Sequence, residues 1–173
     1  LAPSPLILLL DEPFSSIDAG LRVTMREDLR AILKTTGTTA ICVTHDQEEA
    51  LSISDRVLIL KDGRIEQSGT PQNLFNYPRS RFVASFLGHA SFISGVLDGD
   101  VISTAIGDIA RKNMYGLSKE YDKLNMDILF RPENLSIKKC SSKKSNGVIT
   151  YQRYLGEKIL YKVTLLNGET IQC

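Results

Sequence analysis

The chain has 173 residues, 42% hydrophobic and 24% charged, with 21 Lys and Arg against 20 Asp and Glu. These proportions exclude a disordered chain, a collagen-like fibre and a disulfide-dense scaffold, and a net charge of +1 gives no global argument for nucleic acid or an anionic membrane. The charge is unevenly spread: residues 1–90 hold 9 basic and 11 acidic side chains, net −2, and residues 91–173 hold 12 and 9, net +3.

Pro3 and Pro5 lead into Leu6-Ile7-Leu8-Leu9-Leu10, which ends at Asp11-Glu12-Pro13. An apolar run of this length predicts a central parallel strand covered on both faces by helices, stopped by Pro13. Asp18 is placed to cap a following helix with its side-chain oxygen. Leu21, Met25, Leu29, Ile32 and Leu33 recur there at helical spacing, with Arg22, Arg26, Glu27 and Arg30 on other faces. Gly37 suits the end of that helix or the loop after it. Ala40–Val43 predicts a second buried strand, and a short helix to about Ile53 follows, capped by a Thr44/Gln47 box or by Asp46. Strand, helix, strand, helix implies a parallel sheet.

The texture then changes. Val57–Leu60 and Ile65–Gln67 flank Asp62-Gly63, a hairpin signal. Thr70-Pro71 opens one short helix and Ser80 another, with Phe82, Val83, Phe86 and Leu87 as its buried face. After Gly88 the chain reads all-β. The predicted strands are Phe92–Leu97, Val101–Thr104, Asp127–Phe130, Leu135–Lys138, Val148–Arg153, Ile159–Leu165 and Thr170–Gln172, punctuated by glycines and Asn-Gly pairs. The expected domains are therefore 1–88, α/β, and 89–173, a small all-β barrel or sandwich.

Chemistry-bearing residues gather at the strand ends. Leu6–Leu10, five residues, falls short of the ~18 a membrane span needs, and no signal-peptide pattern accompanies it. Cys42, Cys140 and Cys173 form no CxxC, so they read as reduced cytosolic thiols. His45 and His89 stand alone, without zinc spacing. Asp11 and Glu12, at the carboxyl end of a parallel strand, lie where α/β sheets bind ligands. Asp11 suits Mg²⁺ and Glu12 suits orienting a water; a strand followed by a solvated acidic turn has the same local sequence. Ser15-Ser16-Ile17-Asp18 reads as a helix cap or a functional turn. His45 reads as a turn histidine or a phosphate-touching donor.

Taken in order, Leu6–Asp18 and Val43-Thr44-His45-Asp46-Gln47-Glu48-Glu49-Ala50 resemble the ATP-binding subunit of ABC transporters. Asp55-Arg56-Val57, Asp62–Ile65, Gly69-Thr70-Pro71 and Phe82–Gly88 extend the resemblance. It implies a partial P-loop NTPase nucleotide-binding domain: a Walker B strand with its catalytic glutamate and D-loop, then the switch-histidine loop. ATP and Mg²⁺ are the implied cofactors, with Asp11 serving Mg²⁺ through water, Glu12 the hydrolytic water and His45 the γ-phosphate. Asp18 would lie at the interface of the ATP sandwich dimer. Ser16 and Ile17 occupy D-loop positions where the family usually has alanine and leucine. Phe130–Leu135 and Tyr154-Leu155-Gly156-Glu157 resemble the appended TOBE or OB-like domain. Ser91–Gly95 is similar to its opening in iron(III) and polyamine importers.

Implied partners are the transmembrane permease subunits, a second ATP-binding subunit and, indirectly, a periplasmic substrate-binding protein, with no nucleic acid. The implied location is the cytoplasmic face of the inner membrane, peripherally bound. Neither GxxxxGK[ST] nor an LSGGQ-type signature occurs in the 173 residues, and the first residue is Leu1. The expectation is therefore a C-terminal fragment, inactive alone. The competing expectations are a non-catalytic regulatory or dimerising module, and nucleic-acid binding through Lys138, Lys139, Lys143 and Lys144. Half a parallel sheet also predicts self-association.

Overall fold

In the computed structural model, residues 5–114, 123–140 and 145–173 are described, and they divide into two units between Leu87 and Gly88. The N-terminal unit runs β1 (Ile7–Asp11), α1 (Ala19–Thr36), β2 (Thr39–Val43), α2 (Gln47–Ile53), β3 (Val57–Lys61), β4 (Arg64–Gly69), α3 (Pro71–Asn76) and α4 (Arg81–Phe86). β1 and β2 pair in parallel, from Ile7 opposite Thr39 to Asp11 opposite Val43. The helix between them is the crossover that a parallel pair needs.

This pair departs from the expectation of a strand covered on both faces. Its residues alternate, with Leu8 and Leu10 half-buried and Ile7 and Leu9 exposed. β2 repeats the pattern, with Ile41 and Val43 exposed. The physical reason is the layer count: β1 and β2 form a two-stranded sheet of their own, so one face of the pleat stays bare among the described residues.

The hairpin and the two short helices form as the turn chemistry predicts. Asp62 and Gly63 both take positive φ, 50° and 74°, as a type I′ turn requires. The Thr70 hydroxyl accepts from Asn73 N–H and the Ser80 hydroxyl from Val83 N–H. Leu74, Val83, Leu87, Val57 and Ile59 make the core of this unit, with Phe75, Phe82 and Phe86 packed against them.

The C-terminal unit holds β5 (Ser91–Asp98), β6 (Val101–Thr104), β7 (Gly107–Ala110), β8 (Asn125–Phe130), β9 (Gly147–Tyr154), β10 (Ile159–Leu165) and β11 (Thr170–Gln172). Its two antiparallel sheets have the orders β7-β6-β5-β8 and β11-β10-β9, and among the described residues no pairing closes them into one barrel. One core of Ile93, Leu97, Ile102, Ile128, Leu165 and Ile171 draws on both sheets. Polar links join them as well: Gln172 N–H donates to Ser91 Oγ and Ser94 N–H donates to Glu169 Oε1, each at 2.8 Å.

One strand reading is corrected, and one strand was not foreseen. Leu135–Lys138 forms no strand pairing among the described residues, and follows a 3₁₀ turn at Pro132–Asn134 whose last bond runs from Leu135 N–H to Pro132 O. β7 went unforeseen because Gly107-Asp108-Ile109-Ala110 carries one large apolar residue and no alternation.

Candidate active site

The site starts from where two parallel strands end. Asp11 is the last residue of β1, with an exposed side chain, and Glu12 carries the ladder one bond further by donating its N–H to Val43 O at 2.8 Å. Glu12 has φ +44°, the left-handed region that costs a residue with a Cβ about 1–3 kcal/mol. The turn holds it there: Glu12 O accepts from Ser15 N–H at 3.2 Å and from the Ser15 hydroxyl at 3.0 Å. The effect is to swing the Glu12 carboxylate toward β2. His45, two residues beyond the end of β2, places its Nδ1 2.8 Å from Glu12 Oε1. Both side chains stay accessible, 76% exposed for His45 and 45% for Glu12. The hydrogen bond to Glu12, with the charge of that carboxylate, holds the His45 pKa above its ordinary 6.5.

Asp18 and Ser16 lie exposed in the turn that leads into α1. Asp18 occupies the N-cap position, but its side chain makes no capping bond; its carbonyl accepts from the Leu21 and Arg22 N–H groups instead. This corrects the expected side-chain cap. At α2 the cap is Asp46, whose Oδ1 accepts from Glu48 and Glu49 N–H at 2.8 and 3.2 Å. Gln47 takes no part in a capping box. Thr44 Oγ1 accepts from Asp46 N–H at 3.0 Å and donates to Glu49 Oε2 at 2.6 Å. The turn bearing His45 is thus braced on both sides of the histidine.

Helix α1 departs in part from its sequence reading, with Leu29 and Leu33 half-buried as expected. Leu21, Met25 and Ile32 are exposed, while Arg26 is 6% exposed and is the buried residue of the helix. Arg22, Arg26, Arg30 and Lys34 recur every four residues on one face and grip the segment from Asp46 to Asp55. Arg22 lies 3.8 Å from Asp46 Oδ2. The Arg26 fork reaches Asp46 at 3.0 Å and Glu48 at 3.2 Å, with Glu49 Oε1 3.8 Å away. Arg30 donates to the Ile53 carbonyl at 2.6 Å, and Lys34 meets Asp55 at 2.7 Å and holds that carboxyl below its usual range. The sequence signal was present as a basic residue at every fourth position facing four acidic ones, but an apolar period offered the more familiar helix face.

Cys42, on β2, is half-buried, and burial pushes its thiol pKa up, which suits a small hydrophobe. Lys138 and Lys139 lie exposed in the segment after Pro132–Asn134, and Lys143 and Lys144 fall outside the described residues. Among the described residues no group of three or more His, Cys, Asp or Glu is placed to hold a metal. No helix among them is long and apolar enough to cross a membrane.

No protein-family model matches the chain. It is 38% identical over 183 residues to the spermidine/putrescine import ATP-binding protein PotA 1 of Pseudomonas aeruginosa, covering 99% of this chain and 47% of that protein. Against PotA of Mesoplasma florum it is 38% identical over 158 residues, 90% of this chain and 44% of the relative. The Fe(3+) ions import ATP-binding protein FbpC of Fusobacterium nucleatum is 36% identical over 175 residues, 97% and 45%. The chain spans about half the length of the curated relatives it matches. Over nearly all of its own length it is homologous to importer ATP-binding subunits, as its motifs indicate.

Proposed function

We propose that this chain forms the part of an ABC importer's ATP-binding subunit that senses the γ-phosphate and directs the attacking water. The observation that carries the reading is the Glu12–His45 pair, formed at the carboxyl ends of parallel β1 and β2 and left open to solvent. In this reading Glu12 orients the hydrolytic water and His45 donates to the γ-phosphate. Asp18 and Ser16 face a second ATP-binding subunit. The Mg²⁺ reading fits the donor set: Mg²⁺ keeps several waters and takes one or two carboxylates beside substrate phosphates, so a single exposed Asp11 suffices. Bound there, the ion would neutralise charge developing on the phosphates.

The phosphate cradle lies in none of the 173 residues, so the chain alone is expected neither to bind ATP tightly nor to hydrolyse it. The C-terminal unit is proposed to be an OB-like TOBE domain with a regulatory role, a reading supported by its two antiparallel sheets on one core. The proposed partners are transmembrane permease subunits and, through them, a periplasmic substrate-binding protein. The proposed location is the cytoplasmic face of the plasma membrane. The proposed solute is iron(III), with spermidine or putrescine the alternative; relatives named for each occur at 35–38% identity.

The test is a chimera in which these residues replace the matching part of the Pseudomonas aeruginosa relative. ATP turnover by the chimera, reduced about a hundred- to ten-thousandfold by Glu12→Gln, is the expected result. Turnover indifferent to Glu12 overturns the reading.

A further inference from the structure

We propose that Arg26 is a positioning residue for His45, fixing the 44–49 turn through Asp46, Glu48 and Glu49 so that the imidazole stays against Glu12. The importance of that placement rests on the reading of His45 as a phosphate contact; the placement itself is a matter of geometry.

His45 is three-quarters exposed, and among the described residues its side chain bonds Glu12 alone, so its place is set by its neighbours in the chain. Those neighbours are tied down. Thr44 bonds Glu49, and the Asp46 carboxylate holds the first turn of α2 with one oxygen and Arg26 with the other. Arg26 therefore meets the residues on both sides of His45: Asp46 directly, and Thr44 through Glu49.

Its burial indicates a fixed geometry rather than a loose surface pair. The Arg26 side chain is 7% exposed, Glu49 is 3% exposed, and the fork is shared among three carboxylates. Among the described residues Arg26 Nε is buried without a hydrogen-bond partner, so the guanidinium sits where the carboxylates demand and not where its own five donors would all be met. Arg22 carries the brace back to the turn before α1, donating from Nε to Ile17 O at 2.7 Å while lying 3.8 Å from Asp46. A planar fork suits this task better than an ammonium, because it reaches two carboxylates from one rigid plane.

The experiment is nuclear magnetic resonance on this chain without nucleotide. Arg26→Met removes the fork but leaves the buried Glu49 carboxylate without its cation, which threatens folding. The double variant Arg26→Met with Glu49→Gln removes that stranded charge and separates positioning from stability. In the double variant the through-space signal between the His45 ring and the Glu12 methylenes should weaken severalfold relative to Glu49→Gln alone. The Glu48 and Glu49 amides should exchange on the order of ten- to a hundredfold faster, with β3–β4 amides unchanged. Arg26→Lys should fall between wild type and the double variant, and it supplies the test if both neutral variants fail to fold. A wild-type His45–Glu12 signal with wild-type amide exchange, in whichever variant folds, overturns the proposal. The result is separable from the chimera assay: a failure there removes the catalytic meaning of His45 but leaves its dependence on Arg26 measured.

Discussion

His45 Nδ1 lies 2.8 Å from Glu12 Oε1, so residues 33 positions apart meet at the shared end of two parallel strands. Neither is fixed by burial. Glu12 is held by a left-handed backbone that its turn stabilises, and His45 by a braced turn on the opposite strand. A site built this way keeps two functional groups open to a ligand while the backbone beneath them stays rigid.

The pair makes His45 titrate late. Its folded pKa is raised, first by the hydrogen bond to Glu12, so the stabilisation this bond gives is fully present below the unfolded value of 6.5. It is lost as pH rises through the higher folded value. Glu12→Gln removes the carboxylate, and the His45 midpoint followed by its ring proton shifts should fall back toward the ordinary value. An unchanged midpoint would show that Glu12 does not set it.

Much of this was legible in the sequence because local chemistry and global fold agree there. Val57–Gly69 folds as its Asp62-Gly63 turn dictates, and Thr70 and Ser80 cap the helices they precede. The ends of β1 and β2 were legible for the same reason, since Pro13 and the switch from apolar to acidic residues mark them. What could not be read was tertiary. The burial of Arg26 depends on acidic groups brought up with α2, and the four-residue basic spacing of α1 does not by itself say which segment will meet it. The bond from Ser94 to Glu169 spans 75 residues and follows from two sheets sharing a core.

That long-range bond gives a second pH effect, of opposite sign. Asn167 and the Ser94 N–H both donate to Glu169 and hold its carboxyl below the ordinary 4.5. A depressed folded pKa stabilises above the unfolded value, and the gain disappears as pH falls below 4.5 through the folded value. Thermal melts of the chain at about pH 5.5 and about pH 3.5 should show the C-terminal unit weakening at the lower pH. Glu169→Gln should flatten that difference. Identical pH dependence in both proteins would assign the effect to other carboxylates.

Two glycines of the same unit should respond differently to alanine. A Cβ on Gly147 would stand 2.5 Å from the backbone oxygen of Thr164, on the neighbouring strand β10, and a backbone ladder cannot move aside. A Cβ on Gly95 would collide with Ile128 Cδ1, the far end of a side chain with other rotamers to adopt. Gly147→Ala should cost about 1–3 kcal/mol and Gly95→Ala less, read from chemical denaturation midpoints. The reverse order would mean that the Ile128 side of the core is more rigid than the β9–β10 pairing.

The bare face of the N-terminal sheet sets the last expectation. Leu9 stands directly opposite Ile41, and Ile7 and Val43 flank them on the same side, at 72%, 54%, 56% and 60% exposed. Apolar area left in water is worth roughly 25 cal/mol per Å² once covered, and four large side chains in one contiguous patch favour covering it. In solution the readiest cover is the same patch on a second copy, an isologous contact that closes with two-fold symmetry. The chain should therefore scatter light above its monomer mass at micromolar concentration, and Leu9→Lys with Ile41→Lys should restore the monomer. Lysine suits the substitution because its charge is expensive to bury and its stem still covers the strand beneath it. A wild-type chain that stays monodisperse and monomeric would mean that this face, though apolar, is too flat or too small to hold a partner copy.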